Sequence, residues 1–133
     1  MKTVFVNGTF DVLHMGHLAL LNHAKSLGDA LVVAIDCDER VKMLKGSTRP
    51  INSELERKAM LMNLKAVDVV VIFKDHDNLV KLVQDSQASI IVKGSDHKGK
   101  GNVEGQQYVE EVVWFDRIEG FSTTEKIESI IAG

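Results

Sequence analysis

The chain has 133 residues, which is enough for one hydrophobic core, and we expect a single domain over residues 1–133. Its net charge of −3 argues against a nucleic-acid-binding protein, which would present a basic face. One cysteine excludes an internal disulfide, and no apolar run approaches the roughly 18 residues of a transmembrane helix. Since residue 1 runs almost directly into an apolar segment, we expect no signal peptide and a cytoplasmic protein that binds no membrane.

Short apolar runs alternate with segments of helical periodicity along the chain. The predicted strands cover residues 4–6, 30–35, 68–73, 89–92 and 109–115. The predicted helices cover residues 16–27, 38–44, 53–64, 78–84 and 122–131. Polar loops lie at 45–50 and at 93–105, and the second is rich in glycine. This alternation predicts an α/β, Rossmann-like fold, with a five-stranded parallel sheet and helices on both faces.

The stretch Gly-Thr-Phe-Asp-Val-Leu-His-Met-Gly-His, residues 8–17, joins the first predicted strand to the first predicted helix. In an open α/β sheet this turn lies at the carboxyl end of the strand, where ligands bind. Gly8 and Gly16 allow the backbone to approach a ligand, and the helix start offers free N–H groups to an anion. His14 and His17 add two imidazoles beside that positive end. The stretch therefore predicts a phosphate-handling active site.

Other interpretations of these residues remain open. His14, His17 and Asp11 could hold a metal in a hydrolase, although zinc sites usually have three or four His or Cys ligands. A nucleotide sensor without catalysis could keep the same fold. Residues 94–101 nearly match a phosphate-binding P-loop, but Gly101 replaces the required hydroxyl residue. The missing Gly-x-Gly-x-x-Gly fingerprint argues against an NAD or FAD enzyme.

Residues 8–17 resemble the first signature of the cytidylyltransferase-like nucleotidyltransferases, whose mark is His-x-Gly-His. The resemblance implies transfer of a nucleotide from a nucleoside triphosphate to a phosphorylated small-molecule acceptor, with release of pyrophosphate. It also implies a homodimer, because the family is commonly dimeric. Mg²⁺ is the expected cofactor, bridging the phosphates as it does in most such sites.

Three later segments extend the resemblance. Residues 44–52 are similar to a loop of the heptose 1-phosphate adenylyltransferase branch, and Glu56-Arg57 is similar to the same branch. Residues 91–97 resemble that branch's Val-Lys-Gly-Gly-Asp-Tyr segment, with Ser95 and His97 as departures. Residues 117–124 resemble the family's second signature, Arg-Thr-Glu-Gly-Ile-Ser-Thr-Thr, and are closer to the glycerol 3-phosphate cytidylyltransferase branch. We favour ATP and a heptose 1-phosphate-like acceptor over CTP and glycerol 3-phosphate, because residues 92–96 are expected nearer the base.

The resemblance and the anion-binding chemistry together define a candidate site. The predicted catalytic residues, which would contact or neutralise the phosphates, are His14, His17, Lys45 and Arg117. The predicted nucleotide-binding residues are Gly8, Thr9, Phe10, Gly16, Gly94, Asp96, Ser122, Thr123 and Thr124. Ser122 is also the expected N-cap of the last helix. Asp11 and Arg57 are predicted to bind the acceptor, with a buried structural ion pair as the alternative for Arg57. No residue is assigned as a metal ligand.

Overall fold

Five apolar runs form a parallel sheet in the computed structural model, which describes residues 1–116 and 122–132. The strands are β1 (Thr3–Gly8), β2 (Ala30–Asp36), β3 (Val69–Phe73), β4 (Ile90–Gly94) and β5 (Glu111–Phe115). The helices are α1 (Met15–Ser26), α2 (Asp38–Lys45), α3 (Glu54–Met62), α4 (His76–Ser86) and α5 (Thr123–Ala132). Within the described residues, no helix has the length and apolar character needed to cross a bilayer.

The strands lie in the order β3-β2-β1-β4-β5, and every neighbouring pair is parallel. This confirms the predicted Rossmann-like fold, with all five strands and all five helices in their predicted places. Two short 3-10 turns, Ser95–His97 and Gln106–Tyr108, were not predicted; the first lies inside the glycine-rich loop. The strand order changes direction between β1 and β4, because β2 and β3 lie on one side of β1 and β4 and β5 on the other. Ligands are expected beyond the carboxyl ends of β1 and β4 at such a switch point.

Alternate residues of the strands bury their side chains in two apolar layers. On one face, Val4 and Val6 of β1 pack in a cluster with Leu21 of α1 and Leu61 of α3. On the other face, Phe5 of β1 packs in a cluster with α4. Because successive residues of a strand point to opposite faces, a strand covered on both sides is apolar throughout. This is why the strands were recognisable in the sequence.

The loop after β4 is anchored in the core near its carboxyl end. Val103 is buried in the cluster that contains α4. Gly105 follows with a φ of +83°, and a Cβ on it would lie 2.6 Å from the Cβ of Val83. Residues 98–101, by contrast, are exposed. The segment therefore has an anchored carboxyl end and an exposed tip.

Candidate active site

His14 and His17 cap the first turn of α1 reciprocally. The backbone N–H of Gly16 donates to Nδ1 of His14 over 3.1 Å, and the backbone N–H of His14 donates to Nδ1 of His17 over 3.3 Å. Because Nδ1 accepts a hydrogen bond in both rings, each neutral imidazole carries its proton on Nε2. The rings stack with their centroids 3.8 Å apart. The motif is thus a capping box made of histidines, and it fixes both rings as Nε2–H donors.

His17 is a neutral donor at physiological pH. Burial, helped by the nearby His14 and Lys45, lowers the pKa of His17 from 6.5 to about 4. Its ring also contacts Phe10, with the centroids 5.2 Å apart. Because its Nδ1 accepts from the backbone N–H of His14, the neutral ring of His17 offers a single donor, Nε2–H, in a fixed direction.

The turn before α1 has an unusual backbone. Phe10 and Val12 have φ angles of +52° and +47°, in the left-handed region that favours glycine. Such a conformation costs of order 1–3 kcal/mol per residue and persists only where neighbouring groups enforce it. The energetic cost is highest for Val12, because a β-branched side chain rarely tolerates a positive φ.

Asp11 provides part of that enforcement. Its carboxylate is buried and accepts hydrogen bonds from the backbone N–H groups of Ile51 at 2.7 Å and Asn52 at 2.9 Å. The hydroxyl of Thr123, in the first turn of α5, donates to the carbonyl oxygen of Asp11 at 2.6 Å. Asp11 therefore connects the turn to residues 51 and 52, and Thr123 of α5 holds the backbone of Asp11 in place.

Arg57 adds further contacts to the turn. Its side chain is only 1% exposed, and its Nη1 donates to the carbonyl oxygens of Thr9 at 3.0 Å and Asp36 at 2.8 Å. Its Nε donates to the carbonyl of Asn52 at 3.0 Å, and its Nη2 to the Asp38 carboxylate at 2.8 Å. One guanidinium thus joins the turn to the end of β2 and to the loop before α3.

Asp11 and Arg57 were predicted to bind the acceptor, and that role stays a prediction. The contact of Arg57 with Asp38 is the structural ion pair considered as the alternative. Both side chains also act as braces, because their hydrogen bonds hold the turn in place.

A cleft of about 300 Å³ opens above the start of α1. Most of the predicted phosphate-contacting and nucleotide-binding residues line it: His14, Gly16, His17, Lys45, Gly94, Asp96, Ser122, Thr123 and Thr124. They come from the starts of α1 and α5, the end of α2, and the end of β4 with the segment after it. We call this the main cleft. Its position beside β1 and β4 is where the strand order places a ligand.

Lys45 and Ser122 occupy the expected places at its rim. Lys45 is the last residue of α2. Its pKa is lowered, first by desolvation and to a smaller extent by repulsion from Arg49, although the residue is largely exposed. The hydroxyl of Ser122 accepts a hydrogen bond from the backbone N–H of Glu125 at 3.0 Å, which confirms Ser122 as the N-cap of α5. Arg117 lies outside the described residues, so its predicted role stays a prediction.

A second cleft, of about 310 Å³, lies beside the turn. It contains the remaining predicted nucleotide-binding residues, Gly8, Thr9 and Phe10, together with Asp11. It also brings in four residues that the sequence reading missed: Asn7, Asp36, Lys93 and His97. Lys93 Nζ donates to the side-chain oxygen of Asn7 over 3.3 Å. The position of these two residues near the carboxyl ends of β1 and β4 was the available clue.

Comparison with known proteins agrees with this geometry. A model of the cytidylyltransferase-like family matches residues 5–128. The chain is 47% identical over 129 residues to the bifunctional protein HldE of Helicobacter hepaticus, covering 97% of this chain and 26% of that protein. It is 46% identical over 127 residues to HldE of Campylobacter fetus, covering 96% of this chain and 27% of that protein. The chain therefore spans about a quarter of the length of these curated relatives.

Solved structures agree as well. The lipopolysaccharide core biosynthesis protein of Thermoplasma volcanium superposes with a TM-score of 0.76 and 30% identity, covering 90% of this chain and 99% of that one. Pantoate-beta-alanine ligase of Francisella tularensis, at 18% identity and a TM-score of 0.64, covers 95% of this chain and 65% of that one, and shares the fold alone. With the histidine-capped turn placed at the switch point of the sheet, the chain belongs to the cytidylyltransferase-like family and is a nucleotidyltransferase.

Proposed function

We propose that this nucleotidyltransferase transfers AMP from ATP to a heptose 1-phosphate-like sugar phosphate and releases pyrophosphate. The observation that carries the nucleotidyl transfer is the reciprocal capping of His14 and His17 at the cleft. The choice of substrates rests on the resemblance of residues 44–52 and 91–97 to the heptose 1-phosphate adenylyltransferase branch. The similarity to HldE, the protein in which that branch is found, supports the same choice.

The reaction needs alignment and charge stabilisation. A phosphate oxygen of the acceptor attacks the α-phosphorus of ATP, a new O–P bond forms, and the bond to the β-phosphate breaks as pyrophosphate leaves with the electron pair. Because the attacking oxygen is already anionic, no general base is required. The Nε2–H groups of His14 and His17 donate to phosphate oxygens, and the free N–H groups at the start of α1 add to them.

The low pKa of His17 suits this role. A neutral imidazole with Nδ1 held by the backbone of His14 keeps its Nε2–H in place as charge shifts towards the leaving group. Donors that are already oriented cost no reorganisation during the reaction, which is why such groups stabilise a transition state well. A further positive charge comes from Lys45, which borders both clefts.

Mg²⁺ is part of the proposal. In the described residues there is no group of three or more His, Cys, Asp or Glu that could hold a metal ion. Mg²⁺ does not need such a group, because it is commonly bound by substrate phosphates, water and one or two carboxylates. Asp96, an exposed residue at the main cleft, would supply a carboxylate, and the bound ion would neutralise charge on the phosphates.

Two alternatives differ in their support. CTP with glycerol 3-phosphate is favoured by the resemblance of residues 117–124, of which Ser122, Thr123 and Thr124 line the main cleft. A metal-dependent hydrolase using His14, His17 and Asp11 is disfavoured. Nδ1 of each ring and both carboxylate oxygens of Asp11 already accept backbone hydrogen bonds.

A pyrophosphate-release assay tests the proposal. ATP and CTP are each combined with a heptose 1-phosphate, a hexose 1-phosphate and glycerol 3-phosphate. We expect release from ATP with a sugar 1-phosphate. Release from CTP with glycerol 3-phosphate, and none from ATP with either sugar phosphate, would reverse the choice. The homodimer also stays a proposal. Size-exclusion chromatography with light scattering measures the molar mass in solution and tests it.

A further inference from the structure

The side chain of Phe10 connects the hydrophobic core to His17. Its ring lies against the imidazole of His17, with the centroids 5.2 Å apart and the ring planes inclined at 55°. Phe10 is only 5% exposed and belongs to the apolar cluster that contains Val6 and Leu21. One side chain of the turn is therefore a core residue and a neighbour of His17 at the same time.

The position of Phe10 is costly for a residue of this size. Its φ of +52° lies in the left-handed region, which glycine or asparagine adopts with less strain. The ring also depends on the missing side chain of Gly8, because a Cβ there would lie 2.9 Å from Cε2 of Phe10. Strain of this kind persists only where the surrounding contacts enforce it. The benefit of a phenylalanine at this position thus lies in what its ring contacts, which is the core and His17.

His17 can donate from Nε2 in a fixed direction only while its ring is neutral. A protonated imidazole carries hydrogens on both nitrogens. Its Nδ1 could then no longer accept the backbone N–H of His14, which donates to it over 3.3 Å, and the capping box would be lost. Water at the ring favours the charged form of an imidazole, whereas an apolar neighbour favours the neutral form. The surroundings of the ring therefore decide whether this donor stays oriented.

The charges around His17 act in both directions. His14 and Lys45 oppose protonation of the ring, while Asp11 favours it. The other titratable groups that border the clefts lined by His17 are Asp36, Lys93, Asp96 and His97. Burial contributes more than any of the charges to the lowered pKa of His17. The apolar cover of the ring, to which Phe10 belongs, is therefore the strongest single influence on it.

We propose that Phe10 is a positioning residue for His17. Its ring shields the imidazole from water, so that His17 stays neutral at physiological pH and its Nε2–H keeps one direction. This role belongs to the side chain and is separate from the nucleotide contact predicted for the residue. It rests on the proposed function, in which the Nε2–H of His17 donates to a phosphate oxygen.

A proton NMR titration of the ligand-free protein tests the shielding. Phe10→Leu removes the ring and leaves an apolar side chain. Phe5→Leu is the matched control, because it makes the same change in the cluster on the other face of the sheet. We expect the pKa of His17 to rise from about 4 by about 1 pH unit or more in Phe10→Leu. In Phe5→Leu it should stay at the value of the native protein.

The pH dependence of kcat tests the positioning, with ATP and a sugar 1-phosphate in the pyrophosphate assay. At pH 7, kcat of Phe10→Leu should be about 10-fold or more below that of Phe5→Leu, since a misplacement of about 1 Å can cost roughly 100-fold. KM for ATP should change less than about threefold, because the donor acts mainly in the transition state. The loss should grow as the pH falls towards 5, where more of His17 is protonated in the variant. Titration of the substrates is common to both variants and cancels in the comparison.

An unchanged pKa of His17 in Phe10→Leu, or an equal rise in the control, would overturn the proposal. A loss of kcat that is constant from pH 5 to 8 would reduce Phe10 to a structural residue and contradict it as well. If Phe10→Leu does not fold, Phe10→Met takes its place in the titration, with the same rise expected. The titration needs no turnover, so a protein inactive with every acceptor would refute the proposed function and leave this test intact.

Discussion

Two segments at the carboxyl edge of the sheet differ in how their backbone is held. Residues 8–17, the phosphate turn, place positive φ angles on Phe10 and Val12, where they are costly. Residues 95–105, the glycine loop, place them on glycines, where they cost little. The phosphate turn is braced by the carboxylate of its own residue Asp11, by Arg57 and by Thr123 of α5, whereas the tip of the glycine loop is exposed.

The difference follows from what each segment has to do. Stabilising charge at a phosphate requires donors fixed before the reaction begins, so strain in the turn is tolerated and offset by buried contacts. The glycine loop packs on the core through Val103 and Gly105 near its carboxyl end, and its exposed tip has no comparable bracing among the described contacts. Substitutions that remove the braces should therefore affect the molecule more than substitutions in the loop.

The largest effect is expected from removing the main brace. Arg57→Met should lower the free energy of unfolding by about 3–5 kcal/mol, because the carbonyls of Thr9, Asp36 and Asn52 would lose the guanidinium donor, in the case of Asp36 at a buried contact. Urea unfolding measures it. The exposed neighbouring Lys58→Met is the control, which should stay within about 0.5 kcal/mol of the native protein. A loss below about 1 kcal/mol in Arg57→Met would show that the turn does not depend on this guanidinium.

His17→Ala tests the chemistry that the brace supports. Losing a donor aimed at transition-state charge should reduce kcat by about 10²–10³, or roughly 2.7–4 kcal/mol. Its stability should fall by only about 1 kcal/mol, the usual cost of a lost helix cap. His76→Ala, at an exposed position of α4, is the control and should keep kcat within a few-fold. Activity of His17→Ala close to that control would refute the role of His17.

A pair of glycine substitutions separates the anchor of the loop from its tip. Gly105→Ala should cost about 2–4 kcal/mol, because the strain of its positive φ adds to a clash of the new Cβ, which would lie 2.6 Å from the Cβ of the buried Val83. Gly99→Ala, also at a positive φ but in open space, should cost about 1 kcal/mol. Thermal unfolding of both variants provides the comparison. Equal losses would mean that the loop has no anchored end.

The smallest expected effect is an absence of titration. Since burial lowers the pKa of His17 to about 4, its imidazole signals should stay constant between about pH 5 and 8 in a proton NMR titration. The unfolded pKa of about 6.5 exceeds the folded one. The contribution of His17 to stability is therefore fully present above pH 6.5 and is lost as the pH falls towards 4. A midpoint near 6.5 would mean that the ring is solvated and unfixed.

Much of this molecule was predictable because its signals are local. Strands buried on both faces are continuous apolar runs, and the turn residues carry anion-binding chemistry that is recognisable by type. The bracing contacts of Asp11 and Arg57 were not predicted, for the opposite reason. Asp11 accepts from backbone amides that lie 40 and 41 positions away, and a sequence does not show where a buried carboxylate finds its donors. Lys93 was considered only as part of the segment 91–97 and was given no role of its own.

The brace from α5 also bears on the order in which the chain assembles. The hydroxyl of Thr123 and the carbonyl of Asp11 are 112 positions apart, and Arg57 reaches Thr9 across 48. Doubling a loop adds only about 0.6 kcal/mol to the entropy of closing it, so the longer span is thermodynamically cheap. In time, however, the longer contact forms later during synthesis than the contacts of Arg57. The strands β1 to β4 can pair before α5 has been made, while the turn gains the hydrogen bond from Thr123 only after α5 has been made.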